Sequence, residues 1–413
     1  MRKKLKRGRK MFQKRRNVGK IVGTVLTVLL VPALVVAGYY AASYMMTAGP
    51  SSSSAPSEPA PESTTPTNGE SSDPGPVSEP DTPNDPEPSV KGLRLFYLPV
   101  SALQNLDAWN DRLEAAVAAG YNGVLFDLKQ ADGQMRYVSA TELAVAAQTT
   151  SADALSLDEL KAAADVLRSK GLTPVPRLHA FQDHLAAARL ATAKITVAGS
   201  PNASWYDNDP SNGGKRWLNP YAADARRFIT ELSVELKEAG FRLLMLDSVQ
   251  FPTQTSSADF TTTEWASLSK GEVLTLFAEE MNEAVGKNGW MLAMPGLAAI
   301  GDGTGPFGGN PVTFGAGAVA PVLTPSSFGK KLTVGTEKVT DPQAHPYDTV
   351  SLLLSQIQSR IGLMEEKPAV VPWIQASGYN AGQIAEEIRA LTELAGADAS
   401  YILYDANGQY AFT

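Results

Sequence analysis

Residues 242–252, RLLMLDSVQFP, carry an aspartate at the end of an apolar run that stops at Pro252. The run has the length and composition of a buried β-strand. A charged side chain at the end of such a strand is tolerated where the strand opens toward water, because burying an unpaired charge is costly. Asp247 therefore indicates a strand whose end lies at a solvated mouth.

The pattern of residues 242–252 recurs through residues 91–413, and amphipathic helical patterns separate most of the repeats. The predicted strands are LRLFYLPV (93–100), GVLFDLK (123–129), TPVPRLHAF (173–181), RLLMLDSV (242–249), GWMLAMP (289–295), AVAPVLTP (318–325), AVVPWIQA (369–376) and SYILYDAN (400–407). The predicted helices cover residues 107–119, 157–170, 222–239, 270–285, 349–361 and 383–395. Strand and helix alternating eight times favour a closed (β/α)₈ TIM barrel over an open doubly wound sheet. The Gly-rich stretch 296–318 predicts an irregular segment after the fifth strand.

The N-terminal part of the chain has three different compositions. Residues 1–20 hold eleven Lys or Arg and no acid, and residues 21–46 carry no charge. The uncharged stretch is long enough to cross a bilayer of about 30 Å, and we predict a transmembrane anchor with the basic tail in the cytoplasm. A cleaved signal peptide is the alternative, and either one exports the rest of the chain. Residues 47–90, rich in Pro, Ser and acidic residues, predict a disordered linker before a barrel domain at 91–413.

The composition disfavours several classes of partner and cofactor. Residues 21–413 carry 25 basic residues (36 less the eleven in the tail) against 43 acidic ones, a charge of −18, which disfavours nucleic acid. The chain has no cysteine and only three histidines, without zinc-binding spacing, so we predict no metal site and no cofactor. Protein partners are not indicated by any pattern.

Polar side chains collect at the predicted strand ends, which in (β/α)₈ barrels face the functional rim. Besides Asp247 they are Asp127, Arg177, His179, Gln250, Gln375, Asp405 and Asn407. Carboxylates and amides among aromatic residues such as Trp217, Tyr221 and Trp373 suit a polysaccharide or oligosaccharide. Glycoside hydrolysis requires two carboxylates with opposed roles, and Asp247 is the first candidate. A lone strand-end aspartate also caps loops or pairs with arginine, and this reading stays open for Asp247, Asp127 and Asp405.

Several segments together resemble a known family. They are GVLFDLKQADGQMRY, PVPRLHAFQDHLAA, the block from RWLNPY to LDSVQFP, VAPVLTPSSFG, PWIQ and YILYDANGQY. The chain resembles a glycoside-hydrolase family of bacterial (β/α)₈ barrels, long catalogued as a domain of unknown function and distantly similar to α-amylase-like enzymes. The resemblance implies that Asp247 occupies the nucleophile position. It also implies site roles for Asp127, Arg177, Trp217, Asn219, Tyr221, Trp373, Gln375 and Asn407.

The chain departs from this family at a position that matters for catalysis. Family members usually carry an acid just after the fifth strand, where this chain has Met294 and Pro295. Gln250 and Ser248 also differ from the family pattern. Asp302, on the Gly-rich loop, is a candidate replacement for the missing acid.

These patterns predict a membrane-anchored, extracytoplasmic protein of glycoside-hydrolase type that acts on cell-wall or capsular polysaccharide. Asp247 would be the nucleophile or stabilising carboxylate, and Asp127, Asp405 or Asp302 the acid/base. The alternative is a catalytically inactive protein that binds sugar or serves as an envelope scaffold, because loss of a positioned general acid costs about 10²-fold or more in rate. An assembly factor that uses the barrel only to bind protein is a third reading.

Overall fold

The computed structural model describes residues 88–260, 265–301 and 305–412. The predicted cytoplasmic tail and anchor, the linker up to residue 87, and Asp302 lie outside these residues. Within the described ranges, no helix combines the length and the apolar character needed to cross a membrane.

Eight parallel strands form a closed barrel, as the alternating pattern predicts. Each pairs with its neighbours in chain order, and the first strand pairs with both the second and the last, which closes the sheet. The strands are β1 (Arg94–Tyr97), β2 (Gly123–Lys129), β3 (Thr173–His179), β4 (Leu244–Asp247), β5 (Trp290–Pro295), β6 (Ala318–Val322), β7 (Trp373–Gln375) and β8 (Tyr401–Tyr404).

A helix follows each of the first seven strands. These helices are α1 (Asn110–Ala118), α2 (Leu157–Ser169), α3 (Ala223–Glu238), α4 (Lys270–Val285), α5 (Gly296–Ile300), α6 (Pro346–Gly362) and α7 (Ala381–Ala395). Capping boxes start α2 at Ser156, α4 at Ser269 and α7 at Asn380, where the side chain of the N-cap residue accepts a backbone N–H of the first turn. The short α5 opens the Gly-rich segment, so this repeat is irregular as predicted.

Shorter elements decorate the barrel. Short helices cover Val100–Leu103, Leu106–Trp109, Glu142–Ala147, Ala186–Arg189, Pro210–Asn212, Lys287–Gly289, Pro311–Thr313, Pro325–Phe328 and Pro342–Ala344. Met135–Tyr137 and Thr150–Leu155 extend the sheet beside β2, and Ala369–Val370 pairs with β6. Thr196–Val197, Ser200–Ser204 and Ala258–Asp259 form a small antiparallel sheet, and Lys331–Val334 pairs with Glu337–Thr340.

Two apolar layers hold this architecture. Inside the barrel, side chains such as Leu95, Leu125, Val175, Met245 and Ile402 form one buried cluster. Outside it, the strands pack against the apolar faces of the surrounding helices in a larger cluster. The barrel interior is therefore filled by side chains, as in other barrels of this kind, and polar groups are left to the strand ends.

Candidate functional site

The interior of the barrel changes from apolar to charged at the carboxyl ends of three neighbouring strands. Alternate residues of a strand face the same side. Three apolar residues of the interior cluster are each followed two positions later by a charged residue: Leu125 by Asp127, Val175 by Arg177 and Met245 by Asp247. The register also pairs His179 with Asp247 across β3 and β4. The sequence-predicted acids at positions 127 and 247 therefore meet in one polar layer above the apolar core.

Arg177 joins the two aspartates. Its Nη2 donates to Asp127 Oδ2 at 2.9 Å while its Nε bonds the other carboxylate oxygen, and its Nη1 lies 3.4 Å from Asp247 Oδ2. Burial opposes the charge of Arg177, but the Asp127 carboxylate outweighs that effect and holds the arginine pKa above its usual range. The side chains of Arg177 and Asp127 are 10% and 11% exposed, against 27% for Asp247. Asp247 is thus the more exposed of the two aspartates.

Aromatic side chains enclose the guanidinium. Its carbon lies 5.0 Å from the Trp373 ring centre and 5.8 Å from that of Tyr97, and the Tyr97 hydroxyl donates to Asp127 at 3.2 Å. Tyr404 makes edge contacts with both rings. The Trp373 Nε1–H is buried and has no hydrogen-bond partner among the described residues. Tyr97 and Trp373 are thus buried against Arg177, and Tyr404, which is half-buried, is the ring of the three with the most exposed surface.

The environment of Asp247 keeps its carboxylate ionised. Burial raises the pKa of Asp247, but the imidazolium form of His179, the permanent charge of Arg177 and hydrogen bonds from Ser248 outweigh it and bring the pKa below the ordinary value. An ionised carboxylate at a strand end suits attack on, or stabilisation of, a positive centre; it does not suit proton donation.

His179 is coupled to Asp247 through Ser248. The Ser248 Oγ donates to Asp247 Oδ1 at 3.2 Å and lies 3.0 Å from His179 Nδ1. Because the Ser248 hydroxyl donates its proton in the hydrogen bond to Asp247, its oxygen can accept the Nδ1–H of His179. The neutral imidazole then has its proton on Nδ1, and Nε2 is its basic nitrogen. Burial is the main cause that lowers the pKa of His179. Ser248 adopts a left-handed φ of 56°, which is strained for a residue with a Cβ.

Gln375 lies at the predicted rim but faces the protein. It is 2% exposed, and its amide accepts from Ser326 N and donates to Ser377 O. Its backbone N–H donates to both oxygens of the buried Glu387 at 3.1 Å. In this conformation Gln375 ties β7 to neighbouring loops.

Asp405 also turns into its own loop. Its Oδ1 accepts the N–H of Asn407 at 2.8 Å and that of Gln409 at 3.3 Å, which is the geometry of an aspartate that caps a turn. Asp405 is buried, whereas Asn407 is exposed. Asp405 therefore has a structural role in capping this turn, and the functional roles of Asp405 and Asn407 remain predictions.

The predicted residues between β3 and α3 are mostly buried in loop packing. Trp217 donates to Asp207 at 2.9 Å, Asn219 accepts from Tyr221 N at 3.1 Å, and the Tyr221 hydroxyl donates to Leu268 O at 2.9 Å. The Nδ2 of Asn219 is buried without a partner among the described residues. Gln250 is half-buried on the segment that follows β4.

The end of β5 supplies no titratable side chain. Met294 is 2% exposed and Pro295 ends the strand. Asp302, the predicted substitute, falls in the gap between described residues 301 and 305. In the described ranges, no three His, Asp or Glu side chains form a group that would hold a metal ion.

Sequence reasoning passed over two side chains of this layer. The sequence marks Ser248 only as a departure from the family pattern, yet its side chain links His179 to Asp247. Tyr404, which ends β8, contacts Tyr97 and Trp373. Its strand-end position was the available signal, the same signal that identified Asp127 and Asp247.

Several solved structures resemble this chain, all with low sequence identity. No curated protein matches the chain in sequence. A hypothetical protein from Ruminiclostridium thermocellum is 20% identical, covering 46% of this chain and 91% of that one, with a TM-score of 0.40. The N-acetyl-β-hexosaminidase of Streptomyces plicatus is 12% identical, covering 77% of this chain and 59% of that one, with a TM-score of 0.42. The catalytic domain of β-amylase from Paenibacillus polymyxa is 11% identical, covering 78% and 94%, with a TM-score of 0.46.

A family model covers nearly all of the barrel. It spans residues 96–410, from β1 to the segment after β8, and so includes every charged residue of the mouth described above. The chain therefore belongs to the family described as "Putative glycosyl hydrolase domain".

Proposed function

We propose that this protein is a glycoside-hydrolase-like protein of the cell envelope that acts on cell-wall or capsular polysaccharide through the bowl at the carboxyl end of the barrel. The observation that carries the proposal is Asp247: an ionised, partly exposed carboxylate, held at the end of β4 by Arg177 and Ser248. Family membership supports the class of activity.

Asp247 has the character that a glycosidase nucleophile or stabilising carboxylate needs. The anomeric carbon becomes positively charged as the glycosidic bond breaks, and a fixed carboxylate stabilises that charge or bonds to it. Arg177 keeps Asp247 ionised without enclosing it, since their 3.4 Å contact is longer than the Arg177–Asp127 bonds. Tyr404, which is half-buried at the end of β8, would then contact the sugar ring.

One observation favours a second candidate, a protein that binds polysaccharide without cleaving it. Asp127 has both oxygens engaged by Arg177, and one of them also accepts from Tyr97. With both oxygens occupied as acceptors, Asp127 has no oxygen directed at a glycosidic bond. Because β5 also ends without an acid, hydrolysis would need a donor from elsewhere, such as Asp302.

The location of the protein is part of the proposal. The eleven basic residues before residue 21 and the uncharged stretch 21–46 support a single-pass anchor with the N-terminus inside. The Pro- and Ser-rich segment 47–90 would hold the barrel away from the membrane on the outer side.

The test measures cleavage and binding separately. Purified full-length protein is incubated with wall polysaccharides, and both reducing-sugar release and retention on the insoluble polymer are measured for wild type, Asp247→Asn and a control, Asp158→Asn, on the exposed face of α2. We expect release by wild type and the control and a loss of about 10²-fold or more in Asp247→Asn.

Equal release by Asp247→Asn and wild type would remove Asp247 from the mechanism. Polymer binding by all three proteins without any release would instead select the binding protein. Neither binding nor release with any polysaccharide would reject both candidates.

A further inference from the structure

A second polar cluster lies on the long excursion between β3 and α3. It consists of His184, Tyr206, Lys215 and Arg216, and we call it the basic cluster. The segment that carries Arg216 runs beside the end of β3, because Leu218 N donates to Phe181 O at 3.0 Å. Gln182, the residue after Phe181, has its Oε1 3.4 Å from Ser248 Oγ. The basic cluster therefore flanks the mouth that holds Asp247.

In the basic cluster, a donor of Arg216 and a donor of His184 face each other without an acceptor between them. The backbone N–H of Arg216 donates to His184 Nδ1 at 3.0 Å, so Nδ1 is unprotonated and the neutral ring carries its proton on Nε2. The Arg216 Nη1, which can only donate, lies 3.4 Å from that Nε2. Two donors at this separation do not satisfy each other, but one anionic oxygen between them would accept from both.

The surroundings keep this arrangement positive. The Arg216 guanidinium lies 4.7 Å from the Tyr206 ring centre, which fixes its plane, and its Nε is buried without a hydrogen-bond partner. No carboxylate of the described residues forms an ion pair with Arg216, although acids outnumber bases in the exported part of the chain. Burial, followed by the charges of Arg216 and Lys215, lowers the pKa of His184.

The nearby carboxylates are committed to other partners. Asp207 accepts the N–H of Lys215 at 2.7 Å and the Trp217 Nε1–H at 2.9 Å, one on each oxygen. Asp183 is paired with Lys129, and Asp132 accepts Gln134 N. None of them supplies the acceptor that the Arg216 and His184 donors lack.

We propose that the basic cluster is a subsite for an anionic group on the polysaccharide, a uronic-acid carboxylate or a phosphate, bound between Arg216 Nη1 and His184 Nε2 while the chain continues into the Asp247 bowl. This inference rests on the proposed function, because it concerns the same substrate. It specifies that the polysaccharide bound at the Asp247 bowl is acidic. Tyr206 orients the arginine, and Lys215 adds long-range attraction.

The test compares matched ligands on the full-length protein in mild detergent. Calorimetry measures binding of a galacturonic-acid oligosaccharide, its methyl ester and poly(glycerol phosphate). The variants are Arg216→Gln and Arg189→Gln, the latter an exposed arginine of the same excursion with the same charge change. We expect an acidic ligand to bind about tenfold or more tightly than the ester, as a charge-assisted hydrogen bond implies. Arg216→Gln should abolish that preference, and Arg189→Gln should keep it.

The two acidic probes identify the source of the anion: Arg216-dependent binding of the uronate alone assigns a carboxylate, and that of the glycerol phosphate polymer alone assigns a phosphate. The subsite is overturned if neither acidic probe binds in an Arg216-dependent manner, or if Arg216→Gln weakens binding of the ester as much as that of every acidic probe. Sugar release that depends on Asp247 without acid preference leaves the proposed function standing. Arg216-dependent binding with no effect of Asp247→Asn on release removes the catalytic role and keeps the subsite.

Discussion

Replacing Lys129 and Asp183 tests whether their buried ion pair stabilises the carboxyl end of β3, next to Asp247. Lys129 Nζ lies 2.7 Å from Asp183 Oδ2, and both side chains are 0% exposed. The same ammonium donates to the carbonyl oxygens of His179, at 2.6 Å, and Ala180, at 3.3 Å. Lys129 thus fixes the end of β3, from which His179 reaches Asp247.

The two single substitutions should differ in cost. Lys129→Met leaves the Asp183 carboxylate buried without its cation, and removing one partner of a buried pair destabilises by about 3–5 kcal/mol. Asp183→Asn leaves Lys129 with two carbonyl acceptors, and its amide oxygen still accepts the Ala186 N–H that Asp183 binds at 2.7 Å. We expect that variant to lose about 1.5–3 kcal/mol, the usual worth of a hydrogen bond to a charged group.

The double variant, Lys129→Met with Asp183→Asn, removes both charges and should cost less than the sum of the singles by about 1 kcal/mol or more. The free energy of unfolding, measured by urea denaturation of all four proteins at one pH, gives this coupling directly. Additive losses, or a loss below about 1 kcal/mol in Lys129→Met, would refute the view that this pair anchors β3.

Three further predictions concern groups beside the site. Ser248→Gly should be more stable than Ser248→Ala by about 1 kcal/mol, because both lose the hydroxyl but only glycine relieves the φ of 56°; urea unfolding checks the order, and a more stable alanine variant would contradict it. Because burial lowers the pKa of His179, its NMR titration midpoint should lie below about 6.5 and fall further in Asp247→Asn, which loses the carboxylate that favours the imidazolium. The folded protein then resists protonation more than the unfolded chain, so the free energy of unfolding should decrease as pH falls through about 6.5; His179→Gln should make that decrease smaller without removing it, because the pKa of His184 is lowered as well. Burial raises the pKa of Glu387, so the unfolded chain releases that proton first and the contribution of Glu387 to stability should be lost as pH rises above about 4.3; the free energy of unfolding of wild type relative to Glu387→Gln, which keeps an acceptor for the Gln375 N–H, should therefore fall over that range, and a difference that does not change with pH would rule this out.

The local sequence determined the barrel because its signals are local. An apolar strand, a helix with a Ser or Asn cap, and a glycine before the next strand are each specified by neighbouring residues. Predicted helix 270–285 matches α4 at both ends, and predicted helix 157–170 matches α2 within one residue. Period-two alternation likewise carried Asp127, Arg177 and Asp247 to one face, since each follows an apolar interior residue by two positions.

The partners of each polar side chain depend on residues far away in sequence, and only the tertiary structure decided them. Gln375 and Asp405 lie at strand ends just as Asp247 does, but their side chains bind the protein. Gln375 accepts the backbone N–H of Ser326, and Asp405 accepts the backbone N–H of Asn407 in its own turn. Lys129 and Asp183 meet only because β2 and β3 are neighbours in the barrel. Sequence spacing determines which strand end a residue occupies. Whether its charge then faces water, an arginine or a backbone amide depends on groups that the fold brings from other strands, because electrostatic and hydrogen-bond energies depend on distances in space.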